Sequence, residues 1–256
     1  MIEKAIQEYN PKQIVVVVGY PKSGNTLLSG LLGEALDCPV VGYKGALPIA
    51  IEGLDRTGWF RVTQLHLTPT DDEHPHALVN AWEFATRAYS KERVVHIVRD
   101  ARDIATSAKF YWDIESISKT IEIMRDGEFP LTGVRSWNNF VTKWLAIEQQ
   151  LSRYVRVRYE DLVSDPIKQI TNIMLCLELP LSDSVDMQNV ISERKIDKRR
   201  EFMEKNGDSY MWGKGGQLKL LRKGVPGDWV NYFTQDDLVK SLLYFGDTMR
   251  KLGYEV

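Results

Sequence analysis

Val15 to Thr26 reads VVVVGYPKSGNT, a run of β-branched residues entering a glycine turn that carries lysine, serine, asparagine and threonine. Gly19 and Gly24 keep the spacing of the nucleoside-triphosphate loop G-x-x-x-x-G-K-[ST], and Thr26 keeps its hydroxyl. Asn25 fills the lysine slot, and the one lysine, Lys22, sits inside the loop. Backbone N–H groups around Ser23–Thr26 can converge on a phosphate at the start of the following helix, where the macrodipole favours negative charge. Ser23 and Thr26 add hydroxyls and Lys22 a positive charge.

A second charged turn follows a second β-rich run, VVHIVRD. A kinase or NTPase places a magnesium-binding aspartate at such a strand end. Here Arg99 stands there, with Asp100 one position later, so a metal ligand is still available. An arginine at a strand end, together with a displaced lysine, suits a ligand with two separate anionic groups. Of the four histidines, His74 and His76 lie in DDEHPHA, which reads as a solvated loop. His96 lies within a β-run and reads as core, and His66 ends the alternating stretch WFRVTQLH. Histidine is the side chain suited to proton transfer near neutral pH, and these four are the candidates.

These groups need an α/β scaffold. Ile14–Val18 reads as a strand buried on both faces, and TLLSGLLGEAL after it as a helix, so the loop joins strand to helix. Trp59–His66 alternates like a strand, HALVNAWEFATRAYS has a helical pattern, and Arg93–Val98 is a strand leading into the helix RDARDIATSAKFYW. Residues 113–134 are expected to be irregular. SWNNFVTKWLAIEQQ is an amphipathic helix with Trp137 and Trp144 on its core face. A strand near Tyr154–Val157 precedes a helix with Asp165 as N-cap and Pro166 at its first position. Residues 193–224 are expected to be loop-like, and a last helix starts at a Thr234/Asp237 capping box. Strands alternating with helices predict an α/β, P-loop-like fold with a central, mainly parallel sheet.

Composition narrows the classes. No linker, repeat or low-complexity tract divides the 256 residues, so a single domain over 1–256 is expected. A formal charge of -2 and a pI of about 6.1 argue against a general nucleic-acid binder. Cys38 and Cys176 lie far apart in apolar segments and read as buried, reduced thiols of a cytoplasmic protein. The charged start MIEKAIQEYN is not a signal peptide, and no window approaches the ~20 apolar residues of a membrane span.

Several separated segments resemble the cytosolic-type sulfotransferases, which use 3'-phosphoadenosine 5'-phosphosulfate (PAPS) and release PAP. YPKSGNT, Tyr20–Thr26, is similar to that family's 5'-phosphosulfate loop. IVRDARDIATSAKFYW, Ile97–Trp112, is similar to its 3'-phosphate motif, which implies that Arg99 and Ser107 bind that group. VRYEDLVSDP, Val157–Pro166, resembles the segment whose tyrosine lies near adenine, here Tyr159. LRKGVPGDWVNYFT, Leu221–Thr234, resembles the long Arg-Lys-Gly-x-x-Gly-Asp-Trp signature, which implies that Arg222, Lys223 and Gly224 also reach the 3'-phosphate.

The resemblance runs in order from Tyr20 to Thr234. It implies a P-loop-like fold and sulfuryl transfer to a hydroxyl or amine of a small-molecule acceptor, with no metal and no nucleic-acid or membrane partner. Lys22, Ser23, Gly24, Asn25 and Thr26 would cradle the phosphosulfate, and Lys22 would stabilise the leaving phosphate. His66 is the positional counterpart of the catalytic base. Gln64 stands where the family has a lysine before that histidine, and Leu27 where it often has an adenine-stacking tryptophan. The segment Ile196–Asn206 resembles the family only weakly, with Lys198, Arg199 and Arg200 where small hydroxyl residues are usual. Asp228 and Trp229 are expected to hold the last loop in place, and Arg102 and Asp103 to form a surface or helix-start pair without chemistry. A small-molecule kinase or NTPase, and a PAP-binding protein without turnover, remain alternatives. The acceptor and the oligomeric state are not readable.

Overall fold

The computed structural model describes residues 13–44, 47–53, 56, 60–66, 93–129, 135–180, 185–206 and 221–256. Its centre is a six-stranded sheet in the order β3-β2-β4-β1-β5-β6. The strands are β1 (Gln13–Val18), β2 (Val40–Lys44), β3 (Leu47–Glu52), β4 (Phe60–Leu65), β5 (Arg93–Val98) and β6 (Tyr154–Arg158). Every pairing is parallel except the β2–β3 hairpin at one edge. Pro48 falls in β3, an edge strand, where a missing N–H costs no ladder bond.

The sheet is covered on both faces, which explains why β1 reads as a continuous apolar run. Val16 and Val18 of β1 point into one core layer, with α2 (Ala101–Tyr111), α3 (Ile117–Asp126), α4 (Trp137–Ile147) and α9 (Gln235–Lys251). Val15 and Val17 point into the other, with α1 (Asn25–Ala35), α5 (Tyr159–Ser164), α6 (Pro166–Cys176) and α7 (Met187–Glu193). Trp137 and Trp144 are core, as their spacing predicts. His96 is core too, its Nδ1 2.7 Å from the Tyr154 hydroxyl.

The adjacent parallel strands β1 and β5 send α1 and α2 to opposite faces. Their loops therefore diverge at the carboxyl edge and open a crevice, the place where ligands bind in open α/β sheets. Asp165 caps α6 with Pro166 at its first position, and Thr234 with Asp237 closes the capping box of α9.

Four expectations are corrected. Residues 113–134 are not irregular throughout: α3 runs from the Ser116 cap to Gly127 at φ 78°. Its Ile117, Thr120, Ile121 and Met124 form a buried stripe hidden among charges in the sequence. Residues 193–224 contain a helix, α8 (Ile196–Asn206). Cys176 is exposed, because α6 buries Ile170, Ile173 and Met174 and turns its last residue outward; Cys38 is buried as expected. Arg102 and Asp103 are both buried rather than on the surface. The helix expected over HALVNAWEFATRAYS, with His74 and His76, lies outside the described residues.

Candidate active site

The glycine loop is built to leave its backbone exposed to a ligand. Lys22 adopts φ 71° and Gly24 φ 102°, two left-handed residues that turn successive N–H groups toward one side. Such a conformation strains a residue with a side chain, and strain of this kind concentrates at functional sites. Gly24 has no alternative: a Cβ there would lie 2.4 Å from the Tyr159 ring. Asn25, in the slot of the usual lysine, fastens the base of the loop, its Nδ2 donating to the carbonyls of Gly19 (3.3 Å) and Tyr20 (3.1 Å). The Tyr20 ring is buried edge-on against Phe129 and Phe140.

Lys22 is the strongest electrostatic feature. Its Nζ lies 3.8 Å from the centroid of the Tyr111 ring. Burial, followed by the nearby charges of Arg99 and Arg222, lowers its pKa from 10.5 to about 7. A loop cation that is hard to keep charged is one that gains most from an incoming anion.

His66 follows β4, beside the loop. Its Nδ1 lies 2.8 Å from the Gly19 carbonyl. A carbonyl only accepts, so Nδ1 carries the hydrogen and Nε2 keeps its lone pair. The Gln64 amide nitrogen is 3.4 Å from that Nε2 and occupies the position of a donor to it. Gln64 thus approaches the imidazole without adding a charge. Burial lowers the His66 pKa, a hydrogen bond to Gly19 opposes that, and the Lys22 charge lowers it further. The ring is therefore neutral at physiological pH and competent to take a proton. The shared Gly19 carbonyl, held by both Asn25 and His66, fixes the imidazole to the loop.

A second cationic group assembles from β5, α2 and the segment around Arg222. Arg99 Nη1 donates to the Lys22 carbonyl at 3.1 Å, and its guanidinium stacks over the Tyr159 ring at 4.1 Å. The Tyr159 hydroxyl donates to the Gly224 carbonyl at 3.1 Å, which ties the two segments together. Arg222 Nη1 and Lys223 Nζ reach the two oxygens of Asp228, at 2.6 and 3.0 Å. Burial raises the Asp228 pKa, but Lys223, Arg222 and Asn231 together bring it below the ordinary aspartate value. Asp228 therefore holds its loop, as the sequence suggests.

All these parts face one cavity of about 450 Å³. Lys22, Gly24, Asn25, Thr26, His66 and Arg99 line it, and so do Ser107, Tyr159, Arg222, Lys223 and Gly224. Ser23 alone of the expected residues is not on its wall; it is buried under the turn. Part of the wall is apolar, with Leu27, Leu162, Ile191, Ile196 and Met203. The last three come from the α7–α8 region, which the Lys- and Arg-rich sequence conceals. Of the α8 cations, Arg199 lines the cavity but pairs with Glu52 at 3.3 Å, and Arg200 donates to the Leu221 carbonyl at 2.8 Å. Arg194, missed in the sequence, is buried against Glu34 and Glu52 and forms part of the same wall.

The residues present fit a ligand that carries more than one anion beside a flat apolar part. Arg99 Nε is buried with no hydrogen-bond partner among the described residues, while Arg99 itself lines the cavity. Several cations and a neutral imidazole on one cavity wall can bind such a ligand and remove a proton beside it.

Comparison with known proteins agrees with this geometry. A family model described as a sulfotransferase domain matches residues 12–253. The chain is 27% identical over 236 residues to sulfotransferase 2A6 of Mus musculus, covering 86% of this chain and 78% of that protein. It is 25% identical over 230 residues to the 3-alpha-hydroxysteroid sulfotransferase of Cavia porcellus, covering 86% and 77%. The fold is similar to that of a mouse sulfotransferase complexed with PAP, with a TM-score of 0.68, 20% identity, and coverage of 97% of this chain and 88% of that one. It is also similar to retinol dehydratase in complex with androsterone and PAP, with a TM-score of 0.65, 15% identity, and coverage of 100% and 85%. The family match spans almost the whole chain, and the chain belongs to the sulfotransferase family.

Proposed function

We propose that His66 and Lys22 carry out sulfuryl transfer from PAPS to the hydroxyl of an apolar small molecule. As a member of the sulfotransferase family, the protein is a PAPS-dependent enzyme; what is proposed is which residues act and on what. The acceptor oxygen bonds to the sulfur as the bond from sulfur to the 5'-phosphate oxygen breaks. His66 Nε2 takes the acceptor's proton, and the departing PAP carries the electron pair and its charge onto the phosphate. Lys22, Thr26 and the loop N–H groups stabilise that charge, as in other group transfers driven by alignment and electrostatics.

The supporting observation is that Lys22, His66, Arg99 and Arg222 line one cavity although they come from four distant segments. In this reading Ser107, Arg222, Lys223 and Gly224 join Arg99 at the 3'-phosphate, and the base lies in the aliphatic slot that includes Leu27, with Tyr159 at its edge. Ser23 acts only through its place in the turn. Tyr111 and Trp112 extend the cavity near Lys22, an aromatic surface suited to an apolar acceptor. One relative named for a hydroxysteroid favours an alcohol over an amine. A small-molecule acceptor rather than nucleic acid, and residence in the cytoplasm with both cysteines as free thiols, belong to the same reading. No helix among the described residues is long and apolar enough to cross a membrane.

The test is turnover with labelled PAPS against a panel of hydroxysteroids, phenols and amines. His66→Ala should lower kcat by roughly 10²–10⁴-fold and leave PAP affinity within a few-fold of wild type. Equal loss of PAP binding would make His66 structural. PAP binding with no transfer to any acceptor would make the protein a nucleotide binder.

A further inference from the structure

Asp103 lies outside the residues that line the cavity, and it is 1% exposed. Buried carboxylates are costly unless their oxygens are fully used. Here one oxygen accepts from the Gly227 amide at 2.7 Å and the other from the Trp229 amide at 3.1 Å. The first of these oxygens also lies 3.8 Å from Arg99 Nη2, one helical turn back. Gly227 is the cap of a short 3-10 turn, Asp228–Asn231, at φ 77°. The carboxylate therefore takes up amides at the positive end of that turn, which otherwise carries no side-chain cap bond. Arg102 adds a second grip from the same helix: its guanidinium is fixed by Asp100 and lies 4.2 Å from the centroid of the Trp229 ring.

The consequence is geometric. Arg99 belongs to the β5–α2 junction, and Arg222 with Lys223 to a segment more than a hundred residues later. Asp228 gathers Arg222 and Lys223, but it is itself placed by the turn whose amides Asp103 holds. Asp103 contacts Arg99 directly and, through the Gly227 and Trp229 amides, the turn that carries Asp228, while lining no part of the cavity.

We infer that Asp103 is a positioning residue that sets the spacing of Arg99 against Arg222 and Lys223, and so governs selectivity for a nucleotide with a 3'-phosphate. The inference rests on the 3'-phosphate reading above. A site spaced in this way discriminates by the distance between cations, not by their number. Asn at 103 keeps the size and one acceptor, but it removes the charge facing Arg99 and turns an amino group toward one of the two amides.

The experiment compares the affinities of PAP and AMP, which differ only in the 3'-phosphate, for wild type and Asp103→Asn. Wild type should prefer PAP strongly. Asp103→Asn should weaken PAP by roughly tenfold or more, the scale of a lost charge-assisted contact, while AMP affinity stays within about twofold, so the preference collapses. A preference unchanged in Asp103→Asn overturns the inference, whatever happens to its melting temperature. No preference in wild type would sink the 3'-phosphate reading itself. Should Asp103→Asn fail to fold, amide hydrogen exchange on the ligand-free wild type decides: Gly227 and Trp229 are expected to be protected before any nucleotide is added. Exchange as fast as that of exposed loop amides would overturn the proposal.

Discussion

Lys22 carries a charge that the protein only partly supports. Its pKa is lowered to about 7, first by burial and then by Arg99 and Arg222. An unfolded lysine keeps its proton up to 10.5, so between about pH 7 and 10.5 the unfolded chain binds more protons than the folded one. Lys22 therefore makes stability rise with pH across that window, and its penalty is fully present below it. A phosphate placed at the loop restores the charge. At pH 8.5, PAP binding should thus take up close to one proton, seen as a calorimetric enthalpy that depends on the buffer; at pH 6 this uptake should vanish. Lys22→Met should abolish it. Uptake that persists in Lys22→Met would assign the proton to another group. His66 shifts the other limit: its lowered pKa keeps it neutral through the whole neutral range, with Gln64 supplying a donor and no charge.

At the scale of elements, the loops on β1 and β5 depend on a wall built by α1, α7, α8 and the β2–β3 hairpin. Arg194 at the end of α7 bridges Glu34 of α1 and Glu52 of β3, with Arg199 of α8 and Arg56 adding to the cluster. Gly30 makes room for it, since a Cβ there would lie 1.9 Å from Arg194 Nη1. Arg194→Ala leaves two carboxylates without their main partner and should destabilise the protein by about 3 kcal/mol, measured by urea unfolding. Arg199→Ala, which leaves Arg194 in place, should cost clearly less; equal costs would mean that the wall does not depend on Arg194. This wall was the part least legible in the sequence. Strand ends were readable because β1 and β5 are buried on both faces and their turns carry unusual residue types. α3 and α8 were not, because their buried residues are few and spaced among charges. The β2–β3 hairpin was hidden by Gly42 in β2 and by Pro48 in β3, the latter tolerated because β3 is an edge strand. Ser23, expected in the cradle for its hydroxyl, is buried in the turn and is not among the residues that line the cavity. Arg102 and Asp103 looked like an exposed pair because charge in a helix start usually is; tertiary packing buried both.

For the molecule as a whole, the family, the sheet and the nucleotide were legible because the motifs fall at consecutive strand-to-helix junctions, which the fold must bring to one edge. Two junctions of one sheet and a distant segment meet at a single cavity, lined by the loop cation Lys22 and by Arg99, Arg222 and Lys223. Recognition in this site requires both anionic groups of one adenosine nucleotide, with the Tyr159 ring and aliphatic side chains beside the cations. The most direct measurement is isothermal titration of the wild-type protein with PAP, AMP and ATP with magnesium under one condition. PAP is expected to bind on the order of 100-fold tighter than AMP, from two or more charge-assisted contacts to the 3'-phosphate, with ATP and magnesium no better than AMP. AMP or magnesium ATP binding as tightly as PAP would contradict it.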